Sequence, residues 1–141
     1  MADIVYNSFV EYLGDGTIDM DDHTFKLMLL SDSYTPAATH SVLADVSGYE
    51  ISGTGYTAGG LTLSATWNRS AGTVTFDATD AQWTGATFSA RYGVIYDDSV
   101  ASPVVKPLMK LFDFGEVKSP SSGTFTIQFN ASGILTLAVP A

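Results

Sequence analysis

The sequence predicts a mainly β fold: an antiparallel β-sandwich or partly closed barrel of seven to eight strands with a short N-terminal helix. Three observations carry that expectation. In the stretch from Thr87 to Tyr96, Phe88, Ala90, Tyr92, Val94 and Tyr96 alternate with Thr87, Ser89, Arg91 and Gly93. That is the two-residue period of a strand with one buried side, and its aromatic and β-branched residues suit a pleated surface. The stretch is therefore expected to be the central strand. Next, Leu61, Leu63, Ala65 and Trp67 alternate with polar residues, Arg69 to Gly72 turns the chain, and Val74, Phe76 and Ala78 alternate again. This is the clearest hairpin in the sequence. Finally, clusters of Gly, Pro, Asn, Asp and Ser punctuate the remaining short apolar runs.

Taken in order, residues 3–13 form the best helix candidate, because Val5, Phe9 and Tyr12 or Leu13 recur on one stripe. Asp3 is the expected N-cap, and Gly14 and Gly16 end the pattern. So short a helix must dock its apolar face, either on its own sheet or on a partner protein. Thr24 to Leu30 reads as a strand, and its apolar end places it inside the sheet. Ser31 to Pro36 is turn chemistry, and Ser41 to Val46 forms one helical turn with Ser41 as its cap. Gly48 to Gly60, rich in Gly, Ser, Thr and Tyr, is a long ordered loop or an irregular edge strand.

Asp80 to Gly85 reads as an irregular connection leading into the central strand. Leu108 to Phe114 is a further strand, with Leu108, Phe112 and Phe114 opposite Met109 and Leu111, and Gly115 to Gly123 is a polar loop. Phe125 to Phe129 and Ile134 to Val139 read as a last hairpin turning at Asn130 to Gly133, with Pro140 ending the pairing. No repeat or linker divides the chain, so residues 1–141 form a single β domain in which 1–14 is the helical N-terminal segment.

Composition narrows the function classes. A chain of 141 residues buries enough surface to hold a core without staples. It has 0 cysteines, which excludes disulfides and thiolate metal sites. Against 15 acidic residues stand 6 basic ones, a net charge of -9 that repels phosphate backbones and attracts basic partners. No nucleic-acid or membrane partner is expected, because no run approaches the ~20 apolar residues of a span and no basic, then apolar, leader follows Met1. The sequons at Asn68 and Asn130 are read as chance matches without an export signal.

Candidate chemistry is sparse. His23 and His40 lie in polar, loop-like contexts and no G-x-S-x-G elbow occurs, so no catalytic residue is assigned and the chain is not expected to be an enzyme. The glycines from Gly48 to Gly60 lack the lysine and spacing of a phosphate loop. Asp15, Asp19, Asp21 and Asp22 form one acidic cluster, and Asp97 with Asp98 a second. Each is a solvated turn, a structural cation site or an attraction point for a basic partner; the EF-hand spacing is not met. No metal ligand or cofactor is assigned. Trp67, Trp83, Tyr49 and Tyr56 are either core and loop anchors or a platform for stacking a sugar. Trp67 is in register with Leu63 and Ala65, which argues for packing.

Several segments resemble small virion structural proteins of tailed bacteriophages. They are Val5 to Phe9, Gly16 to Asp19 with Thr24 to Leu30, Tyr34 to Pro36, Ile51 to Gly60, Ala90 to Asp97, and Asp113 to Gly115. Together they span most of the chain, and the motifs are structural rather than catalytic. Within that class the resemblance implies a capsid decoration, or cement, protein. Such proteins are small β domains, often homotrimers, that bind the major capsid protein on the outer head shell and stabilise it. The implied location is the capsid surface of the virion, after synthesis in the host cytoplasm. The alternative is a tail- or fibre-associated host-recognition module that binds a glycan. The N-terminal helix and the loop from Tyr49 to Gly60 are the expected docking elements of a decoration protein.

Overall fold

The computed structural model describes residues 3–139. The expected mainly β class is what it shows: ten strands in antiparallel, unclosed sheets and one short α-helix near the N-terminus. The main sheet has five strands in the order β1 (Ile4–Val5), β8 (Leu108–Lys118), β7 (Ala90–Asp97), β2 (Phe25–Leu30), β3 (Leu61–Thr62). Strand β7 is central, as its composition predicts, and β2 lies inside the sheet beside it.

Both faces of this sheet are buried, and that explains why β2 is apolar throughout. On one face Phe25, Leu27 and Leu29 of β2 join Ile95 of β7 and Met109 of β8 in the larger core. On the other, Met28 and Leu30 pack with Tyr92, Val94, Tyr96, Leu108 and Leu111. That second face is covered by Tyr6, by Tyr34, by Leu43 of the first of two short 3-10 turns, Leu43–Asp45 and Ser47–Tyr49, and by Val46 between them. The expected polar side of β7 is therefore absent: Ile95 is 0% exposed there. Tyr92, Val94 and Tyr96 do share a face, but Ala90 and Phe88 belong to the opposite core, because the register with β8 shifts between Ala90 and Tyr92. A second shift, between Ile95 and Tyr96, places Leu108 with Leu111 and Met109 with Phe112 and Phe114, correcting the simple alternation expected of β8.

The larger core is closed by a second layer. It contains β10 (Leu135–Ala138), β5 (Thr73–Ala78) and β4 (Ala65–Ser70), paired in that order, and a separate pair, β6 (Ala81–Ala86) with β9 (Gly123–Ile127). The β4–β5 hairpin is present but shorter than expected: Leu61–Thr62 pairs with β2 in the main sheet, the hairpin strand starts at Ala65, and Arg69 and Ser70 belong to it, which leaves Ala71, at φ 52, and Gly72 as the turn. Two expectations fail here. Asp80 to Gly85 is mostly strand β6, whose Ala81 and Trp83 face inward and whose Gln82 and Thr84 face out. The last two strands do not form a hairpin: β9 pairs with β6, and β10 with β5.

The two ladders run on from one another, from Thr73↔Ala138 through Phe76↔Leu135 to Ala81↔Ile127 and Ala86↔Gly123. The small sheets are therefore consecutive stretches of one ribbon, interrupted where the Asn130–Gly133 turn is extruded. Asp80 Oδ1 accepts a hydrogen bond from the Phe129 amide at 3.1 Å across the break. Gly93 faces this core, where a Cβ would crowd the tip of Leu27 on the neighbouring strand at 3.2 Å and meet Ile127 of the second layer in ordinary contact at 3.5 Å.

The helix begins later than predicted: α1 spans Asn7–Gly14, with Tyr6 at its N-cap and no side-chain cap. Ile4 and Val5 are strand instead, and the Asp3 carboxylate accepts from the Asp113 amide at 2.9 Å. Phe9 is buried, and Tyr12 and Leu13 pack on the larger core, so the apolar stripe of the helix docks within its own chain. The cap of the first 3-10 turn is also reassigned. Asp45 Oδ2 accepts from the Ser41 and Val42 amides, while Ser41 supplies no side-chain cap.

Candidate functional site

Ile51 to Gly60, the glycine-rich loop, is pinned at several points along β2 and β7. The Ile51 amide donates to the Leu29 carbonyl at 3.1 Å. In return the Leu29 amide donates to Tyr56 Oη at 3.1 Å, and Tyr56 donates to Glu50 Oε2 at 2.6 Å. Glu50 Oε2 also accepts from the Gly59 amide at 2.7 Å, and Tyr96 donates to the Gly59 carbonyl at 2.6 Å. Burial, joined by the Glu50 carboxylate, holds the Tyr56 phenol protonated far above its usual range. Burial together with the charges of Asp98 and Glu50 pushes Tyr96 up to about 12.

The loop's glycines are sterically required at Gly53, Gly55 and Gly60, and most tightly at the first and last. Gly60 has φ +92, and a Cβ there would overlap the Leu27 carbonyl; Gly53 presses on the Thr87 carbonyl in the same way. Glu50, the one acidic residue of the stretch from Gly48 to Gly60, is the hub of this network, and the sequence reading did not single it out.

The two acidic clusters, far apart in the chain, meet at one end of the sheet. His23 Nδ1 lies 2.6 Å from Asp97 Oδ2, the Asp97 side chain is fully buried, and Asp97 Oδ1 accepts from the Ser99 amide at 2.9 Å. Burial pushes the Asp97 carboxyl up, against the downward pull of His23 and the Ser99 amide. Thr24 ties the same corner: its amide donates to Ser99 Oγ at 2.8 Å and its carbonyl accepts from the Asp98 amide at 2.8 Å.

Of the other clustered carboxylates, those of Asp15, Asp19 and Asp98 are already engaged. Asp19 Oδ1 accepts from the Asp22 and Asp21 amides, which hold it below its usual range, and Asp15 Oδ1 accepts from Thr17. Asp98 is shared by Lys106 at 3.1 Å and Lys26 at 3.7 Å. Among the described residues no three His, Asp or Glu side chains converge as a metal ion would need. His40 is elsewhere, with its Nδ1 2.8 Å from the Tyr34 hydroxyl, which in turn lies 3.2 Å from that of Tyr6.

The four rings considered as a sugar platform do not assemble. Trp83 is 5% exposed, and Trp67 and Tyr56 pack against the larger core. Tyr49 alone is exposed, and its ring tilts against Tyr34 with centroids 5.4 Å apart. What the surface does offer is scattered apolar contact. Val10 projects from the outer side of α1, Val105 stands beside Val42 and Leu43 across a shallow hollow, and Leu137 and Val139 line the end of β10. No family model matches the chain, and neither a curated protein nor a solved structure does.

Proposed function

We propose that this chain is a structural protein of a bacteriophage particle, a decoration protein that docks on the outer head shell. One observation carries the reading beyond the resemblance itself. Three of the resembling segments, Thr24 to Leu30, Ile51 to Gly60 and Ala90 to Asp97, are scattered in sequence but adjacent in space. β2 pairs with β7 along its whole length, and the loop is bonded to both through Leu29 and Tyr96. The likeness therefore coincides with one folded block and not with isolated short matches. The hydrogen bonds of Glu50, Tyr56 and Tyr96 hold that block rigid, as a contact protein requires.

Net charge of -9 keeps such a protein dispersed before assembly and favours a basic docking surface. Binding the assembled shell better than its free subunits then stabilises the shell by mass action. Val10, Tyr49 and Val105 are exposed apolar residues that such a contact would cover. The test adds purified protein to decoration-free heads. Saturable binding and a raised melting temperature of the shell are expected, and a shell whose melting is unchanged at saturating protein refutes the proposal.

A further inference from the structure

We infer that the free edge of β10 is a self-pairing edge, and that two copies of this chain join there about a two-fold axis. Apart from β9, the neighbouring stretch of the same ribbon, the unpaired edges elsewhere in the fold are blunted. β1 and β3 are two residues each, β4 carries Arg69, and β6 has Gly85 at φ 56 with a register shift beside it. Short length, charge and bulges are the usual protections of an edge. β10 is 4 residues long but carries neither charge nor bulge: from Ala131 to Val139 the sequence holds no charged residue, within a chain of net charge -9. This is a place where two equally acidic copies can meet without setting carboxylates against each other.

The ladder fixes what the edge presents. The Val139 amide donates to the Gly72 carbonyl at 2.8 Å, and Leu137↔Val74 and Leu135↔Phe76 follow in the same register. By the alternation of an antiparallel ladder, the amides and carbonyls of Thr136 and Ala138 point to the open side. Beside that edge lies a hollow of about 500 Å³ between β10 and β8, walled by the rings of Phe112 and Phe129 and also by Asp3 and Lys110, a carboxylate with a cation beside it. An added strand would lie along this hollow and needs apolar side chains at alternate positions to meet those rings. The sequence of β10 supplies them: Leu135, Leu137 and Val139 alternate with Thr136 and Ala138, and Leu137 is 45% and Val139 74% exposed. The edge and the strand that completes it are thus one segment, the condition for a closed two-fold contact. An axis at Leu137 sets Thr136 opposite Ala138 of the second copy, exchanging hydrogen bonds, and sets the two Leu137 side chains face to face.

This pairing stands apart from the shell reading and does not rest on it. The chain has 0 cysteines, so a single introduced cysteine reports cleanly. In a non-hydrogen-bonded antiparallel pair the Cα atoms are about 4.5 Å apart, inside the roughly 4.4–6.8 Å range of disulfides. Leu137→Cys is expected to form a covalent dimer under mild oxidation, with a yield at least about tenfold above that of Asn68→Cys on β4, because pairing raises the local thiol concentration. The unmodified protein should sediment with twice the 14.9 kDa of one chain at high concentration. Leu137→Lys should sediment as one chain and melt where the parent melts when diluted below its pairing concentration, which separates lost pairing from lost folding. A mass of one chain or of three for the unmodified protein, pairing that survives Leu137→Lys, or equal cross-linking of the two cysteine variants would each overturn the inference. A single-chain protein that still decorates shells removes only the pairing, and a dimer that ignores shells removes only the decoration.

Discussion

At Gly60 two constraints coincide: φ is +92 and the space a Cβ would fill belongs to the Leu27 carbonyl. Backbone cannot retreat as a side-chain tip can, so Gly60→Ala should cost about 3 kcal/mol or more in urea unfolding. Gly48→Ala is the control. Nothing lies within 4 Å of its Cβ position, and its change should stay within about 0.5 kcal/mol. Asp97 makes the opposite kind of prediction. Burial raises its folded pKa, so the proton it keeps stabilises the folded state at acid pH, and that contribution is lost as pH rises through the folded value. Asn cannot ionise, yet it retains an oxygen for the Ser99 amide. Asp97→Asn should therefore gain stability relative to the parent near neutrality, with the gain vanishing below about pH 4. Urea midpoints measured across that range check it, and a gain that grows with acidification would contradict the raised pKa.

The elements differ in how far sequence specified them. Phe76 sits on β5 at 0% exposure, touches Phe25 edge-on with centroids 5.1 Å apart, and so links the two layers. Phe76→Ala should cost about 3–5 kcal/mol, whereas Val10→Ala, on the outer side of α1, should be near neutral by the same denaturation measurement. Alternation revealed β7 and the β5 half of the β4–β5 hairpin, and an apolar run revealed β2, whose two faces are both buried. Neither could reveal partners. The apolar alternation of Phe125 to Phe129 and Ile134 to Val139 is genuine, but a hairpin and two stretches of one ribbon leave the same local pattern. β6 was legible in hindsight through inward Ala81 and Trp83, and was masked by Thr84-Gly85, which reads as a turn. The Asp97–His23 contact spans 74 residues, and no local signal announces it.

At the scale of the whole molecule the main sheet is shared by both cores, so neither layer can leave without exposing it. The larger core draws Phe25, Leu27 and Leu29 from the same strand that gives Met28 and Leu30 to the smaller one. Losing the second layer would therefore expose the Phe25–Leu29 side of β2, and losing the covering loop would expose the Met28–Leu30 side. One cooperative transition is expected, and the chain carries its own reporters. Its 2 tryptophans, Trp67 and Trp83, both lie in the second layer, on β4 and β6. Tyr6, Tyr34, Tyr92 and Tyr96 cluster on the opposite face of the main sheet. Tryptophan fluorescence and the near-ultraviolet circular dichroism of the tyrosines thus watch opposite sides of one sheet. Their urea curves should superimpose, with equal midpoints and slopes. A fluorescence transition at lower urea would mean that the ribbon and β4 melt off a surviving five-stranded sheet. The molecule would then be a stable platform with a detachable layer, not a single rigid body.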